Sequence, residues 1–317
     1  MRNMMEYLLS AESILILAHE AEDADAIGSG LALMEVLRAA GKRADFLLSD
    51  EPEQHLKFMV QEPWVYADGM EIPEYELCAA IDCGDLERIG KRRFLFERAK
   101  KTVNIDHHYT NPEYGMMNLV DGSACAAGEI LCEMFQKTNT PLTDEAAKNL
   151  YIAIMSDSGG LRYESASPKT LRLTADLMEY GFDHAQLCRK LFDSQDYRVL
   201  ELRAHVAQNI HRYFENRLAV VALSEEIFDD FGVSEKDTGD LVNLPRSLTE
   251  TEIAVSLRET PEKIKISFRS NGRYNVAEIA EKIGGGGHKM AAGARIEGKS
   301  LEEAEKIIFT LCKDVLK

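Results

Sequence analysis

The sequence predicts an α/β protein of two domains, a larger one on a parallel sheet and a smaller one with a mixed sheet, joined by a helical linker. Its 317 residues exceed what one ordinary hydrophobic core organises. Continuous apolar runs, such as residues 13–19 and 77–82, are typical of parallel strands that are covered on both faces. We therefore expect domains at residues 1–190 and 215–317, with the linker at residues 191–214.

The composition is that of a soluble globular protein with reduced thiols. No apolar run reaches the roughly 20 residues of a membrane helix, and the N-terminus lacks the pattern of a signal peptide. The six cysteines form no C-x-x-C pair, which favours a cytoplasmic location. A net charge of −17 argues against a broad grip on long duplex nucleic acid. A metal centre and a few arginines can still hold a short anionic substrate.

The first predicted strand ends at His19 and runs into an acidic loop that carries Asp23 and Asp25. Apolar residues at helical spacing follow as far as Gly41, a common helix stop. For this loop alone, acids that cap a helix N-terminus explain the pattern as well as a ligand role does. That alternative does not call for a histidine at the strand end.

Three later apolar runs, two predicted strands and one predicted helix, also end in acidic or imidazole side chains. These side chains are Asp82, Asp106, His107, His108 and Asp157. In open α/β sheets ligands bind where the carboxyl ends of the strands meet. A set of six donors is enough for two divalent ions: His19, Asp23, Asp25, Asp82, His107 and Asp157. Asp82 is the expected bridge, at the usual metal spacing of about 3.5–4 Å, and mixed oxygen and nitrogen donors suit Mn²⁺.

The second half of the chain predicts helices and then a smaller sheet. The expected helices cover residues 124–136, 143–155, 168–179 and 196–213, the last being the linker, and the expected strands cover residues 217–223, 252–258 and 263–270. The last two strands should form a hairpin, and a final helix should begin after Ser300. The glycine run at 284–287 indicates either a flexible hinge or a backbone that approaches a phosphate or a base, with His288 donating a hydrogen bond.

Four motifs of the first domain resemble those of the DHH phosphoesterases in order and spacing. They are His19-x-x-x-Asp23-x-Asp25-Ala-x-Gly28-Ser29, Asp82-x-x-Asp85, Asp106-His-His108 and Ser156-Asp157-Ser-Gly159. Glu22 and Ala24 stand where the family usually has proline and glycine. Both lie beside the ligands, so the metal donors are kept, while the shape and charge of the loop are left open.

The resemblance implies roles for the individual residues. One Mn²⁺ would be held by His19, Asp23 and Asp82, and the other by Asp25, Asp82, His107 and Asp157, with Mg²⁺ or Co²⁺ as substitutes. A hydroxide that bridges the metals would be the nucleophile. Asp106 would orient an imidazole and His108 would face the substrate phosphate, so Asp82, Asp106, His107 and His108 form the expected catalytic set.

A second resemblance covers the end of the chain. The stretch Gly284-Gly-Gly-Gly-His-x-x-Ala-Ala-Gly293, preceded by Phe268-Arg269-Ser270, is similar to the substrate-binding domain attached to many DHH enzymes. Within the family, this combination is typical of the nano-RNases, which trim short RNA to 5′-mononucleotides and often also dephosphorylate 3′-phosphoadenosine 5′-phosphate (pAp). The resemblance implies that the far end of a nucleotide, bound in a cleft, is held by Arg269, Ser270, Gly286, Gly287 and His288.

We therefore expect a Mn²⁺-dependent phosphodiesterase or exoribonuclease that hydrolyses short RNA, with pAp as a second substrate and no membrane partner. A phosphodiesterase for cyclic di-AMP or its linear product pApA is the main alternative, because it would use the same domains and motifs. An inorganic pyrophosphatase would need a different C-terminal domain, and a non-enzymatic nucleotide-binding module would not need every metal donor. The sequence leaves cleavage polarity open and is compatible with a homodimer.

Overall fold

The computed structural model describes residues 1–233, 241–287 and 289–316. They form two compact units, Met1–Ser194 and Gln195–Lys317, each with its own sheet and its own hydrophobic core. The predicted fold class is confirmed, because the first sheet is parallel and the second is mixed. Within the described residues, no helix has the length and apolar character needed to cross a membrane.

The sheet of the first unit has five strands in the order β2-β1-β3-β4-β5. They are β1 (Ser13–Leu17), β2 (Arg43–Phe46), β3 (Leu77–Ile81), β4 (Lys101–Asp106) and β5 (Met117–Val120). All neighbours are parallel. The central strands β1 and β3 are almost wholly buried, as their continuous apolar runs predict.

Seven helices belong to the described part of the first unit. They are α1 (Arg2–Leu9), α2 (Ala24–Ala39), α3 (Arg93–Arg98), α4 (Ala127–Thr138), α5 (Asp144–Asp157), α6 (Pro168–Met178) and α7 (His184–Cys188), with a 3₁₀ segment at Leu86–Arg92 and a π-helical turn at Arg189–Asp193. Thr143 caps α5 by accepting a hydrogen bond from the amide of Ala146 at 3.1 Å. Because α2 begins in the loop after β1 and α5 ends at Asp157, both helices deliver acids to one edge of the sheet.

The sheet of the second unit has six strands in the order β10-β11-β9-β8-β7-β6. They are β6 (His211–Tyr213), β7 (Leu218–Leu223), β8 (Ile253–Glu259), β9 (Lys263–Ser270), β10 (Gly286–Gly287) and β11 (Ala291–Glu297). The helices described here are α8 (Tyr197–Gln208), α9 (Glu225–Phe231), α10 (Asn243–Arg246), α11 (Val276–Glu281) and α12 (Leu301–Lys313). Strands β8 and β9 form the predicted antiparallel hairpin, and Ser300 caps α12 in a capping box.

The helix predicted as a linker is shorter than expected and packs within the second unit. It ends at Gln208, and the next residues form β6, which pairs with β7. Its buried residues Leu202 and Val206 lie in one cluster with Val221 and Leu223. The apolar spacing therefore predicted the buried face of the helix, but it could not show that strands of the second unit cover that face.

The glycine run contributes a short strand. Gly286 and Gly287 form β10 and pair with β11. Gly287 has φ 144°, and a Cβ atom there would lie 2.6 Å from the carbonyl oxygen of Ala291. Glycine is thus required for the close approach of two strands, whether or not a ligand binds. The partner β11 was not predicted, because its Ala-Ala-Gly-Ala start lacks the β-branched and aromatic residues of a typical strand.

Candidate metal centre

The predicted donors meet at the carboxyl edge of the first sheet. His19 follows β1, Asp82 follows β3, and Asp106 is the last residue of β4. These three strands are direct parallel neighbours, so their ends lie side by side. The ends of two helices add Asp23, Asp25 and Asp157.

Three overlapping groups of donor atoms result, and each is compact enough to hold one metal ion. The groups are His19, Asp23 and Asp82; Asp25, His107 and Asp157; and Asp82, His107 and His108. Asp82 links them: its Oδ2 lies 3.5 Å from His19 Nε2, and its Oδ1 lies 3.3 Å from His107 Nε2. The two oxygens of one carboxylate therefore face two different imidazoles, as a bridging ligand requires.

The surroundings of Asp82 fit a metal ligand. Asp82 is buried and has φ 51°, a left-handed conformation that costs a residue with a Cβ roughly 1–2 kcal/mol and often marks functional sites. Its Oδ1 is buried without a hydrogen-bond partner among the described residues. Burying a carboxylate oxygen without a partner is costly. A divalent cation would supply the missing partner, so the residues present fit the metal that the sequence predicts.

The imidazoles of the buried His19 and the half-buried His107 are turned so that one nitrogen of each is left for a metal. His19 Nδ1 lies 2.8 Å from the carbonyl oxygen of Glu20, and His107 Nδ1 lies 3.4 Å from that of Ala124. Because a carbonyl oxygen only accepts hydrogen bonds, both Nδ1 atoms carry the proton. Each Nε2 faces Asp82 and could bind a metal once its proton is displaced, which is the usual arrangement of a ligating histidine.

Asp25 of α2 is fully buried, and its carboxylate lies against the amino end of α4. Its Oδ2 accepts a hydrogen bond from the amide of Ala127 at 2.7 Å, and its Oδ1 accepts from the amide of Gly128 and the hydroxyl of Ser29 at 3.0 and 2.8 Å. Burial and the charge of Asp82 nevertheless raise the pKa of Asp25 to about 8. Burial and the charge of Asp25 likewise raise the pKa of Asp157 well above its ordinary value. A cation between these carboxylates would allow all of them to ionise.

Neighbouring carboxylates raise the pKa of both imidazoles. Burial lowers the pKa of His19, but its interactions with Asp23 and Asp82 outweigh burial and raise the pKa to about 11. Burial also lowers the pKa of His107, and its interactions with Asp82 and Asp25 raise it to about 10. The carboxylates therefore stabilise positive charge at the positions where the sequence predicts metal ions.

Asp106 contacts His108 through both of its carboxylate oxygens. Its Oδ1 lies 2.8 Å from His108 Nδ1, and its Oδ2 accepts hydrogen bonds from the His108 amide and from Asn111 Nδ2 at 3.2 and 2.6 Å. His108 Nε2 points to Arg88, with 3.3 Å to Nη1. These contacts place Asp106 beside an imidazole, and the orienting role that the resemblance implied for it stays a prediction.

Sequence reasoning missed several side chains around the donors. Asn111, whose Nδ2 donates a hydrogen bond to Asp106, was not among the predicted site residues. Arg88 lies in the turn that Asp85 caps by accepting a hydrogen bond from the Arg88 amide at 3.0 Å. Its position six residues after Asp82 was the only available signal. A buried ion pair between Glu22 and Arg92 gave no local signal, because Arg92 sits in a run of three basic residues that resembles a solvated surface.

The predicted substrate-binding residues of the second unit are brought together only in part. Arg269 and Ser270 end β9, and β11 lies between them and the glycines of β10. Arg269 Nη1 donates a hydrogen bond to the carbonyl oxygen of Phe268 at 3.0 Å. Ser270 is buried, and its hydroxyl accepts from the amide of Gly272 at 3.2 Å, which favours a role in the turn over contact with substrate. His288 lies outside the described residues.

Comparison with known proteins identifies both units. Residues 13–154 match the model of the DHH family N-terminal domain, and residues 215–314 match that of the DHHA1 domain. The chain is 33% identical over 320 residues to the bifunctional oligoribonuclease and PAP phosphatase NrnA of Thermus thermophilus, with 100% of this chain and 94% of that protein covered. It is 29% identical to the protein of the same name from Bacillus subtilis, with 96% of each covered.

A crystal structure of an exopolyphosphatase-related protein from Bacteroides fragilis matches the whole fold. The TM-score is 0.93 at 25% identity, with 99% of this chain and 96% of that chain covered. Both domain models occur in the order that the sequence predicts, and the relatives match over nearly their full length. The chain therefore belongs to the DHH phosphoesterase family, carries a DHHA1 domain, and is similar throughout to the bifunctional oligoribonuclease and PAP phosphatases.

Proposed function

We propose that this protein is a Mn²⁺-dependent phosphodiesterase that shortens RNA of a few nucleotides to 5′-mononucleotides and also converts pAp to AMP. The observation that carries the proposal is the position of Asp82, a buried carboxylate that faces an imidazole with each oxygen. The names of its relatives, bifunctional oligoribonuclease and PAP phosphatase, support the substrate class.

Two ions are proposed at the edge of the first sheet. One would be held by His19, Asp23 and Asp82, and the other by Asp25, Asp82, His107 and Asp157. Bound divalent ions would supply Lewis acidity, which lowers the pKa of water and offsets the charge of a phosphate. Carboxylate and imidazole donors together suit Mn²⁺, and Mg²⁺ and Co²⁺ are the proposed substitutes.

The residues that border the donors would bind and orient the substrate. The exposed Arg88 contacts His108, and Asp106 fixes the ring of that histidine. A charge-assisted hydrogen bond from Arg88 to a phosphate would contribute about 1.5–3 kcal/mol. Tyr109 follows directly and is 69% exposed, so a nucleobase can stack on its ring. The positive charge of Arg88 would thus offset part of the negative charge of the metal ligands where an anionic substrate binds.

The DHHA1 domain would bind the part of the substrate that lies away from the reacting phosphate. Arg269 and the backbone of Gly286–Gly287 are the proposed contacts, together with His288. Arg269 lies on β9 and the two glycines lie on β10, which β11 separates from β9 in one sheet. None of the three donor groups found among the described residues includes Arg269, Gly286 or Gly287. Their contribution would be affinity and orientation rather than chemistry.

A substrate panel tests the proposed function. RNA and DNA of a few nucleotides, pAp, cyclic di-AMP, pApA and pyrophosphate are each incubated with Mn²⁺, with chelator and with the Asp82→Ala variant as controls. The proposal predicts that short RNA is hydrolysed fastest, that pAp yields AMP, and that both controls are inactive. Faster hydrolysis of cyclic di-AMP or pApA than of RNA would establish the alternative. No hydrolysis of any substrate with any divalent ion would refute both.

A further inference from the structure

A buried ion pair supports the loop between β1 and α2, the loop that brings His19 and Asp23 to the site. Glu22 Oε1 lies 2.7 Å from Arg92 Nη1, and the two residues are only 6% and 1% exposed. Glu22 stands directly before Asp23 in the chain. Neither residue belongs to any of the three donor groups.

Arg92 connects this loop to the strands beneath it. Its Nη2 donates a hydrogen bond to the carbonyl oxygen of Ala18 at 2.8 Å, and its Nη1 donates to that of Leu47 at 2.7 Å. Ala18 is the residue before His19. One guanidinium therefore holds the chain on both sides of the loop, at Ala18 before it and at Glu22 near its end.

Glu22 connects the same loop to the segment that follows β2. Its Oε1 accepts a hydrogen bond from the amide of Ser49 at 2.7 Å, and its Oε2 accepts from the Ser49 hydroxyl at 2.8 Å. The Ser49 hydroxyl oxygen in turn accepts from the amide of Ala21 at 3.1 Å. Ala21 has φ 56°, a left-handed conformation that persists only where its surroundings fix it.

The 3₁₀ segment that carries Arg92 makes a third contact with the loop. The amide of Glu20 donates to the carbonyl oxygen of Arg88 at 2.7 Å. Gly90 in the same segment has φ 63°, a left-handed conformation that favours glycine. The turn between His19 and Asp23 is thus held from two strands and one helical segment.

We propose that the Glu22–Arg92 pair is a positioning element for the metal centre, which fixes His19 and Asp23 in the geometry that one ion needs. The inference rests on the proposed metal site and goes beyond it, because it assigns a task to residues that touch no metal. A buried ion pair contributes little net stability on average, since desolvation offsets the attraction between the charges. Here the ion pair would instead fix the geometry of the loop, and Glu22 stands at a position where the family usually has the rigid residue proline.

The test compares metal binding with stability. Mn²⁺ binding to metal-stripped protein is measured by calorimetry for the wild type, Glu22→Gln and Arg92→Lys. His19→Ala serves as a reference, because the binding step that it weakens is that of the ion held by His19 and Asp23. Residues that orient metal ligands typically change affinity by about 10–100-fold. We expect Glu22→Gln and Arg92→Lys to lose about 10–100-fold in Mn²⁺ affinity at the step that His19→Ala identifies, and nowhere else. Excess Mn²⁺ should restore their kcat, while their KM for RNA stays unchanged.

Two further variants separate positioning from general destabilisation. Asp45→Asn removes a carboxylate of β2 that pairs with Arg38 and Arg43 rather than with Glu22 or Arg92, and should leave both binding steps unchanged. Ser49→Ala removes one hydrogen bond to Glu22 and serves where the other variants do not fold; it should weaken the same step.

The outcomes are distinguishable. If folded Glu22→Gln, Arg92→Lys and Ser49→Ala bind both ions with wild-type affinity, the positioning role is refuted even if the variants are less stable. Equal weakening of both steps, or the same loss in Asp45→Asn, would also refute it. If the wild type binds no Mn²⁺, the metal centre itself fails, and the positioning role fails with it.

Discussion

Removal of the metals should make the stability of the first unit fall as the pH rises from about 6.5. In the metal-free protein the pKa of His19 is raised to about 11 and that of His107 to about 10. The folded state then keeps protons that the unfolded chain releases above its ordinary histidine pKa of about 6.5. A raised pKa stabilises the folded state fully below pH 6.5, and this stabilisation is lost as the pH approaches the folded value.

The size of the effect follows from proton linkage. Each imidazole that is protonated only in the folded state lowers the free energy of unfolding by about 1.4 kcal/mol per pH unit. Asp25, with its pKa raised to about 8, acts in the same direction up to that pH. The pKa of Asp82 is lowered: burial raises it, but His107 and His19 outweigh burial. Its contribution therefore changes only in acid and is constant above pH 6.5.

Fluorescence of Trp64 follows this unit selectively. It is the single tryptophan of the chain, and it packs against the cluster that contains Leu15 and Leu17 of β1. Urea unfolding with chelator at pH 7, 8 and 9 should show falling stability, and excess Mn²⁺ should reverse the trend, because metal binding displaces the protons. His19→Gln should reduce the slope, whereas a change at the exposed His184 should not. Stability that stays level or rises with pH in chelator would refute the reasoning.

Four further outcomes are expected. Asp82→Ala should remove both ions and all hydrolysis, whereas Asp106→Asn should keep the ions bound and lower activity by about 10–100-fold. Calorimetry and rate assays measure these effects, and an active Asp82→Ala variant would contradict the assignment. Arg88→Ala should lower kcat/KM for short RNA by roughly 10- to 150-fold, with partial recovery in Arg88→Lys, since a charge-assisted hydrogen bond is lost; unchanged steady-state kinetics would exclude the contact. Rates should be highest on dinucleotides to pentanucleotides and fall for longer RNA, because an acidic protein offers no long basic track; equal rates across lengths would oppose this. Arg269→Ala and His288→Ala should raise KM for RNA. They should hardly affect hydrolysis of bis-(p-nitrophenyl) phosphate, which lacks the part of the nucleotide that these residues would bind. Equal loss of both activities would assign the two residues to the metal site instead.

The positions of the candidate metal ligands could be predicted because they depend on the ends of a few elements: His19, Asp82 and His107 follow strands, and Asp23, Asp25 and Asp157 lie at helix ends. The apolar runs of β1 and β3 are continuous, so the sequence indicates a parallel sheet, and parallel neighbours, including β4, end at one edge. Every side chain that follows such an end is then brought to the site. The edge strand β5 was missed because it has only four half-buried residues. Its absence from the prediction did not matter for the donors, since none of them lies on it.

The contacts that hold the donors in place could not be predicted, because they depend on how distant segments face one another. Lys91, Arg92 and Arg93 are consecutive, yet Lys91 pairs with Asp68 and Arg93 with Glu97 at the surface, while Arg92 is buried. Successive residues of a helical turn point in different directions, so one of three equivalent basic residues faces the sheet. Its partner Glu22 is 70 residues away. A departure from the family pattern at Glu22 was visible in the sequence, but its consequence depends on which of the three cations turns inward, and only the fold decides that.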